Sequence, residues 1–184
     1  MLLRAFFLLL ALLALPVSAQ PSSSLELLEL TRVDEGLRLA YSARLELPKM
    51  ADEALHKGVP LYFNAEARVA RKRWYWRDAT VARSERQWRL SFQPLTRQYR
   101  LSTGGLHQSF DSLADALGGL RRASAWLLEL REEPERAQAY ELSFKLYLDN
   151  RQLPGPLQIG LGGAAQWGVE RDRPVSPVEL GLAS

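Results

Sequence analysis

A strict alternation of apolar and polar residues is the feature that most constrains how this chain can fold. In the segment YELSFKLYL, residues 140–148, Tyr140 and every second residue after it are apolar, and the residues between them are mostly polar. Residues 37–47, 61–69 and 88–92 repeat the pattern. Because successive side chains of a β-strand point to opposite faces, this period predicts strands with one buried and one solvated face, as in antiparallel sheets.

Weaker alternation in residues 25–33, 95–103 and 126–130 extends the pattern to about seven strands, with no long helices between them. The sequence therefore predicts a mainly β fold. We expect an antiparallel β-sandwich, either Ig-like or a flattened barrel, with one or two short helices.

Two short helices are expected between the strands. The first covers residues 49–57, where a proline begins the helix and a glycine ends it. The second covers residues 110–120, whose apolar residues recur at helical spacing. We expect either Ser109 or Asp111 to cap its N-terminus.

The first nineteen residues have the pattern of a secretory signal peptide. Arg4 supplies a positive charge, residues 5–15 are apolar, and Pro16 is followed by the small-residue sequence VSA. The apolar run is too short to cross a bilayer comfortably. Cleavage before Gln20 leaves an exported protein, periplasmic or secreted, with no membrane span. The alternative is an uncleaved anchor helix.

The rest of the chain is expected to form one domain. Residues 20–170 carry the predicted strands and helices, whereas residues 171–184 contain two prolines and no periodic pattern. We therefore expect a single β-rich domain over residues 20–170, followed by a disordered tail. The chain has no cysteine, which excludes a disulfide, a thiolate metal site and a thiol nucleophile.

Positive charge is concentrated in one part of the chain. Residues 66–100 hold ten Lys or Arg and three acidic residues, whereas the remainder of residues 20–184 holds thirteen and eighteen. Within the basic part, the segment RKRWYWRDA, residues 71–79, combines four cations with three aromatic residues. Such asymmetry favours an interacting face over general solubility.

The strand phase changes inside this segment. Up to Val69 the odd-numbered residues are apolar, whereas Trp74 and Trp76 are even-numbered. A one-residue slip in register turns every side chain to the opposite face. We therefore expect a bulge or a turn between Val69 and Trp74.

Two interpretations of the basic segment stay open. In the first, the tryptophans pack into the core, and the arginines form an ordinary solvated face or an edge that resists pairing. In the second, arginines from neighbouring strands form one basic, aromatic-dotted face for anionic groups, because a guanidinium donates two parallel hydrogen bonds. The residues assigned to this candidate binding face are Arg71, Arg73, Tyr75, Arg77, Arg83, Arg89, Arg97 and Arg100.

The sequence offers few catalytic groups. Its two histidines are His56, expected in the first helix, and His107, which follows the glycines of a predicted hairpin turn. Ser102 and Ser109 flank His107, but nothing in the sequence positions an orienting acid, and no G-x-S-x-G motif is present. We expect no catalytic residue, no metal site and no cofactor.

The expected function is non-enzymatic binding in the cell envelope. Export argues against nucleic acid, which a basic aromatic surface would otherwise suggest. An envelope protein that contacts the basic face is the first expectation. A binder of anionic lipid or polysaccharide is the alternative, and a carboxylate-dependent envelope hydrolase is a second alternative.

Several fragments resemble those of a known family. GVPLYF (58–63), RWYW (73–76), LTRQYR (95–100) and LPGPLQ (153–158) occur in this order, and the similar runs cover most of residues 40–160. Together they resemble the bacterial exported proteins of domain-of-unknown-function family 4390. The resemblance implies a signal-bearing extracytoplasmic protein and brings no established activity, substrate or cofactor. Genes of the family are often found beside a nitrogen-type two-component sensor kinase, which suggests the extracytoplasmic region of such a kinase as a partner.

Protein recovered from outside the cytoplasm is expected to begin at Gln20, and intact-mass measurement tests this directly. Replacing Ala19 with Arg should block cleavage, because signal peptidase requires a small residue there. A wild-type protein that retains residues 1–19 would support the anchor helix instead.

Overall fold

The chain forms a β structure with two short helices. The computed structural model describes residues 23–73, 78–155 and 167–182. The strands are β1 Ser23–Val33, β2 Gly36–Leu45, β3 Leu61–Arg71, β4 Ala79–Gln93, β5 Gln98–Thr103, β6 Leu106–Phe110, β7 Arg122–Leu130, β8 Tyr140–Leu148 and β9 Gly168–Val175. The helices are α1 Lys49–His56 and α2 Leu113–Arg121, and a 3-10 turn covers Asn150–Gln152.

The strands form one antiparallel sheet that nearly closes into a barrel. Seven of them follow the order β1-β2-β7-β4-β3-β8-β9, and the β5–β6 hairpin extends from β4. The two ends of the path approach each other, and the Ser23 hydroxyl of β1 donates a 2.6 Å hydrogen bond to the Gly168 carbonyl of β9. The predicted antiparallel β class with short helices is confirmed, in the flattened-barrel form.

Strand β3 lies inside the sheet, with a paired strand on each of its edges. It pairs with β4 on one edge and β8 on the other over nearly its whole length. Its inward side chains alternate strictly and are fully buried: Leu61, Phe63, Ala65, Ala67 and Val69. The two alanines leave interior space beside β3, and large aromatic side chains from other strands fill the core.

Three aromatic rings pack against one another in the interior, and one of them, Phe144, is the strand neighbour of Ala67. The ring of Tyr41 on β2 lies 4.8 Å from Phe144 on β8 and 6.1 Å from Trp126 on β7. The Tyr41 hydroxyl donates a 2.8 Å hydrogen bond to the Leu120 carbonyl near the end of α2. Helix α2 therefore covers this end of the core and is held there by the hydrogen bond from the buried Tyr41 side chain.

The helices lie close to their predicted positions. Helix α1 ends one residue before the expected boundary, and α2 begins three residues later than predicted, at Leu113. The N-cap of α2 is Ser112, whose hydroxyl accepts a 3.1 Å hydrogen bond from the Asp115 amide. The expected caps Ser109 and Asp111 are wrong because β6 continues to residue 110 before the chain can turn into the helix.

The C-terminal segment corrects the expectation of a disordered tail beginning at residue 171. Residues 171–175 complete β9 and pair with β8. After the strand, Leu180 is buried, with 2 % of its surface exposed. Glu179 forms an ion pair of 2.6 Å with Arg173 of β9. The buried leucine and the ion pair hold this segment against the barrel, although its two prolines and lack of alternation suggested disorder.

Replacing Phe144 with Ala should lower the free energy of unfolding by about 3–5 kcal/mol, because it leaves a cavity beside Tyr41. Urea denaturation measures the loss. Leu95→Ala is the control, since Leu95 is fully exposed and its truncation should change stability by less than about 0.5 kcal/mol. Equal effects of the two substitutions would contradict the described core.

Candidate functional site

The outer face of β4 carries two of the predicted arginines. Arg83 and Arg89 alternate with the buried residues Trp88 and Leu90 and are exposed. Because directly opposite residues of an antiparallel pair lie on the same face, the pairing of Ser91 with Arg100 places Arg100 on this face as well.

Arg97 lies beside these residues, in the turn that joins β4 to β5. Its φ is 54°, in the left-handed region that non-glycine residues seldom adopt, and its side chain is exposed. Leu95, in the same turn, is completely exposed. We call Arg89, Leu95, Arg97 and Arg100 the hairpin surface.

The cations of the hairpin surface are not neutralised locally. Within the described ranges, no carboxylate forms an ion pair with Arg89, Arg97 or Arg100. Arg83, by contrast, forms an ion pair with Glu85 and lies opposite Glu129 of β7. The hairpin surface therefore carries three arginines without an ion pair and one exposed leucine. Arg89 and Arg97 are exposed, whereas Arg100 is half-buried and its Nε is shielded from solvent. Arg83 belongs to a neutralised part of the sheet.

Arg71 does not share this face, which corrects the prediction of a single basic face. It lies opposite the buried Tyr140 of β8, on the core side of the sheet, and its side chain is only 12 % exposed. Its guanidinium forms ion pairs with Glu132 at 2.7 Å and Glu135 at 3.3 Å, in the connection between β7 and β8.

Arg71 turns inward because β4, and not β3, contains the extra residue at the register shift between these two strands. The predicted irregularity after Val69 is confirmed, as a register shift between Val69 and Ala70. The extra residue lies on β4, however, where the partners of Val69 and Ala70 are Ala82 and Thr80. Strand β3 therefore keeps its alternation up to its last residue, which turns Arg71 inward.

The remaining predicted residues follow β3. Arg73 is exposed, and its backbone amide donates a 3.2 Å hydrogen bond to the Asp78 carboxylate. Tyr75 and Arg77, together with both tryptophans of the segment, lie outside the described residues. Their place in a basic aromatic face stays a prediction.

A second feature, which the sequence analysis did not single out, is a cavity of about 530 Å³ on the outer face of β8 and β9. Its charged and phenolic lining residues are Glu66, Lys145, Tyr147, Asp149, Arg151 and Glu170. The volume lies within the range of ligand pockets in other proteins. Only the pairing of β3, β8 and β9 brings these residues together, so no local sequence signal could have found the cavity.

The carboxylates of this cavity are already engaged with neighbouring groups. Glu66 accepts a 2.6 Å hydrogen bond from Tyr147, and Glu170 forms a 2.5 Å ion pair with Lys145. Asp149 accepts hydrogen bonds from the Arg151 backbone and from side chains of the 3-10 turn.

The environment of Asp149 keeps it ionised. Burial on its own would raise the pKa of the Asp149 carboxyl, but hydrogen bonds from Arg151 and Gln152 outweigh it and hold the pKa below its usual value. A carboxyl with a lowered pKa is a poor general acid near neutral pH. The cavity therefore lacks, at this position, the proton donor that glycoside hydrolysis needs.

The histidines do not form a catalytic arrangement with the described residues. His56 lies 2.8 Å from the Tyr99 hydroxyl and 2.9 Å from the Asp52 carbonyl, and thus anchors α1 to β5. His107 lies opposite Ser102 across the β5–β6 hairpin, with neither hydrogen-bonded to the other. No described acid orients His107, and no group of described residues has the composition of a metal site.

Arg86 is a cation in an unexpected place. Its direct partner on β3 is the fully buried Ala65, so its side chain starts toward the interior of the barrel. Its guanidinium carbon lies 5.1 Å from the ring centroid of Trp126. The sequence held a signal for this position, because Arg86 has the same parity as the apolar residues Trp88 and Leu90.

The comparison with known proteins identifies a family. A sequence profile described as Domain of unknown function (DUF4390) matches residues 20–175. Neither the curated proteins nor the solved structures contain a significant match. Within the described ranges, both α-helices are far shorter than a bilayer-crossing helix, and no longer apolar helix occurs.

Asp149→Asn should lower stability at pH 7 by about 1–3 kcal/mol, because a charged acceptor with several donors is lost. The folded-state pKa of Asp149 is lowered, so its contribution is present above the unfolded pKa and disappears as pH falls through the folded value. The difference from wild type should therefore shrink below about pH 4.

Urea denaturation across this pH range measures the effect, with Asp172→Asn as the control. Asp172 is exposed, and its substitution should leave stability nearly unchanged at every pH. A loss for Asp149→Asn that stays constant down to pH 2 would contradict the charged network.

Proposed function

The chain belongs to the DUF4390 family, and from that premise we propose that it is an exported, non-enzymatic binding module that presents the hairpin surface to an acidic envelope protein. The signal-like residues 1–19 support export to the periplasm or beyond. The availability of Arg89, Arg97 and Arg100 for external anions supports binding.

The observation that carries the proposal is the combination of unpaired arginines with an exposed leucine. Burying a guanidinium against a partner is favourable only when an anion replaces its water, and each of the three arginines has a fork that fits a carboxylate. Leu95 supplies the apolar anchor that a protein interface places near its centre. Acidic side chains around an apolar pocket are the matching surface on the partner.

An enzymatic role has less support from the described residues. The cavity beside β8 holds carboxylates, but Tyr147, Lys145 and Arg151 occupy them. A carboxylate-dependent hydrolase needs one carboxyl held protonated near neutral pH, and the lowered pKa of Asp149 works against that requirement.

The family's association with sensor kinases selects the first partner to test. Binding of the purified extracytoplasmic region of a nitrogen-type two-component sensor kinase is measured by calorimetry. The double substitution Arg97→Glu and Arg100→Glu should weaken binding at least about tenfold, because it places like charges against the acidic partner. Leu95→Ala should weaken it by a similar factor.

A matched control keeps the same change of charge elsewhere. Arg38 and Arg122 are exposed on β2 and β7, and their joint reversal to Glu should leave binding within about twofold of wild type. Circular dichroism checks that each variant is folded. Equal losses for the two double variants, or no loss for either, would overturn the assignment of the hairpin surface.

Salt dependence separates a protein partner from the alternative of an anionic lipid or polysaccharide. Binding to a polyanion should fall steeply with salt and be insensitive to Leu95→Ala, because exposed charge pairs are screened. Binding to a protein through Leu95 should lose affinity in that variant at both low and high salt.

A further inference from the structure

The sheet contains a split beside β4. β4 pairs with β7 only through Ala82 and Arg83, and it pairs with β5 only from Arg89 onward. Residues 84–88 therefore have no strand partner on that edge, although β3 pairs with them on the other. We call this interruption the β4 split.

Two side-chain hydrogen bonds mark its ends. Trp126 of β7 donates its indole N–H to the Ser84 hydroxyl at 2.8 Å. Thr103 of β5 donates its hydroxyl to the Gln87 carbonyl at 2.9 Å. The second bond shows which edge Gln87 faces, and alternation along the strand turns the amides of both Gln87 and Glu85 toward the split.

Arg86 lies between these two amides in sequence and starts from the core side of the strand. Its partners across β3 and β7 are apolar: Ala65 is fully buried, and Trp126 is 1 % exposed. Tyr41 is nearby but directs its hydroxyl to the Leu120 carbonyl. In the described part of the chain, Arg86 has no ion pair and no hydrogen-bonded carboxylate.

Arg86 is half-buried, so its guanidinium loses part of its hydration and gains no anion among the described residues. A contact with the face of a tryptophan offsets part of the lost hydration, but it does not replace an anion. Burial lowers the pKa of the Arg86 guanidinium, because it removes water from the charged form. By comparison, Arg71, which also turns inward, has two glutamates within ion-pair distance.

We propose that Arg86 is an anion-binding residue and that the β4 split admits the carboxylate or phosphate group of a small ligand. The guanidinium fork supplies two parallel donors, and the amides of Glu85 and Gln87 supply neutral donors along the same edge. Trp126 holds the guanidinium from behind by its ring face. This site is separate from the hairpin surface and does not depend on the proposed function.

The experiment observes the Arg86 Nε–H signal by NMR in the purified full chain. Sodium phosphate and sodium acetate are added in separate titrations, and sodium chloride at matched ionic strength is the reference. We expect a saturable shift of the Arg86 signal with phosphate, acetate or both, and no comparable shift with chloride. The response to each salt distinguishes a phosphate site from a carboxylate site.

Two variants test whether the response belongs to Arg86. Because Arg86 lies over the Trp126 ring, we expect the bound anion to shift the Trp126 indole N–H signal as well. Arg86→Met fills similar space without charge and should abolish this second shift. Arg89→Met, on the outward face of the same strand, should leave it unchanged. If Arg86→Met does not fold, the Arg86 signal of the wild-type chain still decides the matter.

Three results would overturn the proposal. The first is a wild-type Arg86 signal that responds to neither anion beyond the chloride reference. The second is an anion response of Trp126 that persists in Arg86→Met. The third is an equal loss of response in Arg89→Met, which would mean a diffuse effect of surface charge.

Discussion

The double pairing of β3 is the constraint on which the rest of the structure depends. Because β4 and β8 pair with its two edges, the alternation of β3 sets which side chains of all three strands face the interior. The small residues Ala65 and Ala67 lie at its centre and are fully buried. Their short side chains leave interior space, and the aromatic rings of other strands occupy it. The packing of the core therefore depends on the register of β3, and the register is favoured by that packing.

The same alternation decides which arginines are available to a partner. Arg89 and Arg100 lie outward on paired strands and form no ion pair with the described residues, whereas Arg71 turns inward and forms ion pairs with two glutamates. Arg86 also starts inward but meets an aromatic ring instead of a carboxylate. Charge density along the sequence therefore overstates the basic surface, and the direction of each side chain determines what its charge can do.

The sequence predicted the fold better than the site. The boundaries of β8 match the alternation of residues 140–148, because each inward residue there is apolar and each end meets a break in the pattern. Strand β9 was missed because its inward positions include Arg171 and Arg173, which face the open edge near β1 and need no apolar side chain. Arg71 was misplaced because alternation reveals that a register shift exists but not which of two strands absorbs it.

The direction of the arginines can be measured by thiol labelling, since the chain has no cysteine of its own. Arg71→Cys introduces a single thiol on β3, and Arg89→Cys introduces one on the adjacent strand β4. The rate of reaction with a maleimide measures the accessibility of each thiol. The account predicts rapid labelling of Arg89→Cys and slow labelling of Arg71→Cys in the folded protein, with equal rates in concentrated urea. Equally rapid labelling of both in the folded protein would contradict the register that separates the outer and inner arginines.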